Sequence, residues 1–179
     1  MSLKILIDTN IFIQLEEPDN TGHLKTDFAE FSQLAKKHGI SIFCHPLSEE
    51  DLKHDENKER RQKSLLNYSA YPKLENPPLA DTSELEKLFK GVGNSNDLID
   101  CQILYALKCN CVEFLISQDE KVRSRAKYAG LNNRLFSIKE AVVYLRSLFE
   151  PTTLKLPNIE EIFVYAMKDN EPILKSISQ

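Results

Sequence analysis

Glycine and proline are scarce in this chain and account for only 5 and 8 of its 179 residues. Such a composition excludes collagen-like and low-complexity architectures. The sequence also lacks any run that approaches the roughly 20 apolar residues needed to cross a bilayer. Its first apolar run, residues 3–7, ends in Asp8 and is too short for the core of a signal peptide. We therefore expect a cytoplasmic protein that does not interact with a membrane.

Cysteine is sparse as well, with four residues in the chain. Cys44 and Cys101 lie in apolar segments, where we expect them to be small buried hydrophobic residues. Cys109 and Cys111 are two positions apart and have no second pair at the spacing of zinc ligands. The cysteines therefore do not predict a structural zinc site, and they agree with a cytoplasmic location.

Neither sign of charge dominates the sequence. Its 23 basic and 27 acidic residues give a net charge of −4, and the isoelectric point is near 5.6. These values argue against a protein that binds nucleic acid through bulk charge, but they leave room for a local basic groove beside an acidic, metal-loaded site. Because 41% of the residues are hydrophobic and the net charge is small, we expect a folded chain rather than a disordered one.

Short apolar segments that are typical of buried strands alternate with segments of helical periodicity. Strands are predicted at residues 3–7, 40–44, 114–116 and 135–137. Helices are predicted at residues 28–38, 48–68, 82–89, 97–108, 120–128 and 138–149. This alternation favours an α/β fold with a central, mostly parallel sheet flanked by helices.

The length of the chain fits one domain, or one domain with an appendage. Prolines at 151 and 157 suggest a boundary, so we expect a compact domain over residues 1–150 and a C-terminal appendage over residues 151–179. The appendage contains apolar residues at 159 and 162–164, and helix and strand are equally compatible with its pattern.

Acidic residues stand where the predicted parallel strands end, which is where such sheets bind ligands. Asp8 follows the first strand and Asp119 follows the third. Asp51 lies in the helix after the second strand, while Asp97 and Asp100 share one face at the start of another helix. Carboxylates that converge cannot all stay ionised without compensation, which a divalent cation such as Mg²⁺ or Mn²⁺ supplies. The sequence therefore predicts a cation site at this edge of the sheet.

Each of these acids also has a purely local explanation. Asp8 can cap the segment that follows it, and Asp119 can open a turn. Asp51 can complete a capping box with Ser48 as the N-cap residue. Asp97 can be an N-cap residue with Asp100 as its partner three positions on.

Several segments together resemble the PIN-domain nucleases. Residues 5–13, Ile-Leu-Ile-Asp-Thr-Asn-Ile-Phe-Ile, resemble the opening of that family, whose first strand ends in an aspartate. Residues 97–107 resemble the helix that carries the third acid of the family, and residues 114–119 resemble the strand and Ser-x-Asp step that carry the fourth. The likeness covers roughly residues 3–148, and the order and spacing of the motifs are more specific than any one of them. It implies a PIN-like, three-layer fold.

A narrower likeness concerns residues 45–55, Arg60, Arg61 and residues 71–75. They resemble PIN domains that are fused in front of GNAT-type acetyltransferase domains. The resemblance implies that residues 151–179 are a linker toward such a domain and that the chain is the amino-terminal part of a longer protein.

The resemblance implies metal-dependent hydrolysis of a phosphodiester, with single-stranded RNA as the substrate. The implied catalytic residues are Asp8, Asp51, Asp100 and Asp119, and the implied ligands of Mg²⁺ or Mn²⁺ are Asp8, Asp97, Asp100 and Asp119. Thr9, Asn10 and Ser117 are implied to support the acids by hydrogen bonding. Asp51 is our match for the second acid of the family, with Glu50 and Asp55 as the alternatives.

A run of cations with no acid among them extends over residues 121–139. We expect Lys121, Arg123 and Arg125 to bind the RNA backbone, because their helix directly follows Asp119. A second basic group, diluted by glutamates, lies at residues 58–63. A solvated helix face is the alternative explanation for either group.

Three other functions are compatible with parts of this pattern. The chain can be a non-catalytic PIN domain that serves as a binding or regulatory module, or the toxin of a toxin–antitoxin pair that is held inactive by an antitoxin peptide. A phosphohydrolase on a similar sheet is disfavoured, because residues 8–10 lack a second aspartate to act as its acid–base group. The oligomeric state stays open, with a homodimer among the alternatives.

Overall fold

The computed structural model describes residues 3–16 and 25–150. Its strands are β1 (Lys4–Ile7), β2 (Ser41–Cys44), β3 (Phe114–Ile116) and β4 (Leu135–Phe136). Its helices are α1 (Thr9–Glu16), α2 (Thr26–Lys37), α3 (Ser48–Lys53), α4 (Lys58–Ala70), α5 (Thr82–Phe89), α6 (Ser95–Lys108), α7 (Glu120–Tyr128) and α8 (Ile138–Phe149).

The four strands form one sheet in the order β2-β1-β3-β4. Every pairing within it is parallel, with Ile5 opposite both Ile42 and Phe114 in the register of the central strands. The α/β class with a parallel sheet is therefore confirmed. Because β1 and β3 are adjacent in the middle of the sheet, the residues that follow them, Asp8 and Ser117, emerge side by side.

Helices cover both faces of the sheet. Ile5 and Ile7 project from β1 into a core built with α1, α2 and α8, whereas Leu6 projects into a second core built with α5, α6 and α7. All three side chains are fully buried, as expected for a strand that has a helical layer on either side. This double burial fixes the register of β1 and hence the direction in which Asp8 leaves the sheet.

Two local predictions are wrong. The predicted helix over residues 48–68 is two helices, because Asn57 accepts a hydrogen bond from the Arg60 backbone N–H and starts α4 as its N-cap residue. The predicted capping box of Ser48 with Asp51 does not form, since Leu47 is the N-cap residue of α3 and no side chain caps that helix. Helix α1 was not among the predicted elements.

The predicted appendage, residues 151–179, lies outside the described residues. Within the described part of the chain, no helix combines the length and the apolar character that a bilayer crossing requires.

Candidate functional site

A cleft opens at the carboxyl end of the sheet, where β1 and β3 stop. Its walls come from the starts of α1, α6 and α7 and from one residue of α3. It is lined by Asp8, Thr9, Asn10, Asp51, Asn94, Asn96, Asp97, Asp100, Gln118, Asp119, Glu120 and Lys121. All five aspartates that the sequence singles out therefore border one cleft, at the edge where an open parallel sheet binds its ligands.

Asp8 is the most deeply buried acid of the cleft, with 4% of its surface exposed. Its Oδ1 accepts a hydrogen bond from the Thr9 backbone N–H at 2.7 Å. Its Oδ2 accepts one from Ser117 Oγ at 2.6 Å and one from Asn10 Nδ2 at 3.1 Å. Burial raises the pKa of Asp8 to about 6 despite these hydrogen bonds, and the charges of Asp51 and Asp119 raise it further.

Asp100 is electrostatically coupled to the other acids. Burial raises the pKa of this carboxyl group to about 7, and the negative charges of Asp8 and Asp119 contribute to the rise. Carboxylates influence one another in this way only when they share a poorly solvated space. The cleft therefore accumulates more negative charge than its solvation supports, which is the condition that favours a bound cation.

Ser117 links the ends of the two central strands. Its Oγ donates to Asp8 and accepts a hydrogen bond from the backbone N–H of Asp119 at 3.1 Å. Asp119 is in turn the N-cap residue of α7, where its Oδ1 accepts from the N–H groups of Lys121 and Val122. The local explanation of Asp119 as a residue that starts a turn or helix is thus confirmed, and Oδ2 is left without a hydrogen-bond partner among the described residues.

The structure distinguishes among the three candidates for the second acid. Asp51 lines the cleft, and burial raises the pKa of its carboxyl group. The Thr9 hydroxyl opposes that rise, although its contact with Asp51 does not have hydrogen-bond geometry. Glu50 instead pairs with Lys53 at 2.8 Å, and Asp55 pairs with Arg60. Neither Glu50 nor Asp55 lines the cleft.

Asp97 and Asp100 both pair with Arg125, and Asp97 makes the shorter of the two contacts. Arg125 donates to its Oδ1 at 2.5 Å, and this hydrogen bond holds the pKa of Asp97 below its ordinary value. The alternative explanation of Asp97 as an N-cap residue is wrong, since Asn94 caps α6 by accepting from the backbone N–H of Asp97 at 2.8 Å. Asp97 remains at the cleft wall, but as half of an ion pair.

The structure places the three predicted RNA-binding cations in different environments. Arg125 is buried, and its guanidinium donates to Asp97, to Asp100 at 3.2 Å and to the Gly91 carbonyl at 2.7 Å. RNA binding by Arg125 stays a prediction, and three of its five N–H donors are engaged inside the protein. Arg123 pairs with Glu140 at 3.0 Å and does not line the cleft. Lys121 does line it.

The donor set of the cleft suits a hard divalent cation. Carboxylate and amide oxygens are the ligands that Mg²⁺ and Mn²⁺ prefer. Thr9 Oγ1 and Asn10 Oδ1 are buried oxygens without a hydrogen-bond partner among the described residues, and both belong to residues that line the cleft. Within residues 3–16 and 25–150, however, no three His, Cys, Asp or Glu side chains are arranged so that they could hold an ion as they stand. Mg²⁺ keeps several of its waters, so these residues fit an ion bound partly through water.

Sequence reasoning missed two roles in the cleft. The capping role of Asn94 had a signal, because an Asn three residues before the helical Asp97 has the spacing of an N-cap residue. The pairing of Arg125 with α6 had no signal in the sequence, because Arg125 lies 25 positions after Asp100 and 28 positions after Asp97.

Comparison of the chain with protein-family models, with curated proteins and with solved structures found no match in any of the three.

Proposed function

We propose that the chain is a metal-dependent endoribonuclease of the PIN type, which hydrolyses phosphodiester bonds in single-stranded RNA. The observation that carries this proposal is the convergence of Asp8, Asp51, Asp100 and Asp119, from four separate segments, on one cleft. Separate structural roles would not require the acids to share one cleft, in which neighbouring carboxylates help to raise the pKa of Asp8 and of Asp100.

Asp8, Asp100 and Asp119 would hold one or two Mg²⁺ or Mn²⁺ ions in this proposal. Asn10 contributes a neutral oxygen, and the Ser117 hydroxyl fixes the Asp8 carboxylate and the backbone of Asp119 relative to each other. When bound, the ion lowers the pKa of a water and stabilises negative charge on the phosphate. Asp97 is an implied ligand as well, but we assign it a structural role. Its contact with Arg125 is shorter than that of Asp100, 2.5 Å against 3.2 Å, and its pKa lies below its ordinary value.

Asp51 is the candidate proton acceptor among the four. Its carboxyl group lines the cleft and has a pKa above its ordinary value. A proton acceptor is most effective when its pKa approaches the working pH. Hydrolysis by a positioned water requires no covalent intermediate with the protein, so the cleft needs no nucleophilic side chain.

A non-catalytic PIN domain that binds RNA or a protein is the second candidate. The absence of a ready-made three-ligand cation site among the described residues favours it. In this function the cleft would still be acidic, but its carboxylates would not support hydrolysis.

The test is incubation with labelled single-stranded RNA in the presence of Mn²⁺, Mg²⁺ or a chelator. We expect cleavage with either ion, none with the chelator and none by an Asp8→Asn variant. The matched control is Asp81→Asn, which changes the N-cap residue of α5 outside the cleft and replaces it by an equally good cap. Cleavage that persists in Asp8→Asn would place the activity elsewhere, and RNA binding without cleavage would favour the second candidate.

A further inference from the structure

A chain of hydrogen bonds leads from the surface to the rim of the cleft. Lys25 Nζ donates to Gln14 Oε1 at 3.2 Å. Gln14 Nε2 donates to the Asn10 backbone carbonyl at 3.2 Å and to Gln118 Oε1 at 3.0 Å. Gln118 lines the cleft next to Asp119, whereas Gln14 and Lys25 do not line it.

The direction of these hydrogen bonds follows from which groups can donate. A lysine ammonium only donates and a backbone carbonyl only accepts, so both partners of Gln14 require its amide to be oriented as described. Gln14 therefore presents an N–H to Gln118, and the Gln118 atom that meets it must be the oxygen. The NH₂ group of Gln118 is left as a donor without a partner among the described residues.

We infer that Gln118 is a substrate-contacting residue, whose NH₂ group donates to a non-bridging phosphate oxygen of the RNA backbone. This inference rests on the proposed function of the cleft. Lys121 lines the same cleft, so a hydrogen-bond donor and a cation stand on either side of Asp119 along the chain. A donor and a cation together suit an anionic oxygen better than a base edge. Gln14 and Lys25 are positioning residues that keep the Gln118 amide from turning over.

Binding of labelled single-stranded RNA is measured by fluorescence anisotropy with Ca²⁺ in place of Mn²⁺, and the KM for cleavage is measured with Mn²⁺. Because a hydrogen bond to a charged group is lost, Gln118→Ala should weaken binding roughly tenfold and raise the KM more than it lowers kcat. Gln118→Glu should weaken binding further, since it presents an acceptor to the phosphate. Gln62→Glu, a matched exposed glutamine outside the cleft, should bind like the wild type.

A substitution of Gln14 tests the orientation of the Gln118 amide. Gln14→Glu keeps an acceptor for Lys25 but removes the donor to Gln118, so the Gln118 amide should turn its oxygen toward the substrate. We expect a loss of affinity close to that of Gln118→Ala, and little further loss when Gln14→Glu is added to Gln118→Ala. If Gln14→Glu weakens RNA binding equally in the wild type and in Gln118→Ala, the new charge acts by itself and Gln118 is not oriented by Gln14.

Two RNA probes, oligo(U) and oligo(A) of equal length, separate phosphate from base recognition. A phosphate contact should cost both probes the same affinity in Gln118→Ala, and a loss confined to one probe would overturn the assignment to phosphate.

Normal binding by Gln118→Ala, with a wild type that binds and cleaves RNA, would overturn the inference alone. A wild type that binds without cleaving, with the expected loss in Gln118→Ala, would overturn the nuclease and keep the contact. A wild type that neither binds nor cleaves would overturn both.

Discussion

The guanidinium of Arg125 on α7 lies 2.5 Å from a carboxylate oxygen of Asp97 on α6, and both residues are buried. The same guanidinium reaches Asp100 one turn further along α6. One cation thus connects two helices and pairs with two acids that both line the cleft. Asp97 keeps a pKa below its ordinary value, whereas burial and the neighbouring acids keep the pKa of Asp100 near 7.

Replacing Arg125 should destabilise the protein strongly. Arg125→Ala leaves Asp97 without its counter-charge in a buried position, so the free energy of unfolding should fall by about 3 kcal/mol. Arg123→Ala is the matched control, because the Arg123–Glu140 pair is exposed and such pairs contribute less than about 1 kcal/mol. Urea denaturation of both variants measures the difference. Equal losses in the free energy of unfolding would show that the buried Arg125–Asp97 pair stabilises the protein no more than the Arg123–Glu140 pair does.

The fold was predictable where strands and helices are signalled by adjacent residues. The bounds of α5, α7 and α8 and of β3 agree with the sequence prediction to the residue. The break between α3 and α4 was missed because apolar periodicity is weak there and the charged residues suit a continuous helix. Asn57 causes the break, because its side chain caps the start of α4 and so competes with continuation of the helix.

The site was predictable to the extent that strand ends determine it. Asp8 and Asp119 follow adjacent buried strands, so their proximity follows from the topology of a parallel sheet. The role of Arg125 was not predictable, because a helix following Asp119 can direct its cations outward or inward. Which arginine turns inward depends on the rotation of α7 on the sheet, and this is set by the burial of Val122 and Ala126 rather than by the charge pattern.

Asp8→Asn should remove nuclease activity without unfolding the protein. The hydrogen bonds around Asp8 can adapt to an amide, since Ser117 can accept as well as donate and the Asn10 amide can turn over. The substitution also removes a charge that burial disfavours. The melting temperature in chelator should therefore hold or rise in thermal scans, as it should for the control Asp81→Asn. A marked fall confined to Asp8→Asn would show that the ionised carboxylate is a structural requirement.

The contribution of Asp100 to stability without metal should decrease as the pH rises from about 4 to about 7. The pKa of Asp100 is near 7 in the folded protein, against 3.8 for an ordinary aspartate, so the folded state binds the proton more tightly than the unfolded state. In this window the unfolded state loses the Asp100 proton first, so this carboxyl group lowers the free energy of unfolding as the pH rises. The loss is on the order of a few kcal/mol and levels off above about pH 7.

The pH dependence is isolated by comparison with Asp100→Asn, which cannot ionise. In chelator, the stability of this variant relative to the wild type should increase between pH 4 and pH 7 in denaturation curves. Mn²⁺ should restore the stability of the wild type at pH 7, because it binds only the folded state, and should have a weaker effect on the variant. If the free energies of unfolding of the two proteins differ by a constant amount across this range, the raised pKa of Asp100 is contradicted.

Lys121 should carry the salt-dependent part of RNA binding. It is the cation of the 121–125 run that lines the cleft, whereas Arg125 is paired inside the protein and Arg123 is paired with Glu140. A contact with one phosphate acts through charge and counterion release, so Lys121→Ala should weaken binding of single-stranded RNA most at low salt. The slope of log affinity against log salt should fall by roughly 0.7. Arg123→Ala is the matched control and should keep the wild-type slope; a larger change in this control than in Lys121→Ala would place the RNA backbone along the outer face of α7 instead of in the cleft.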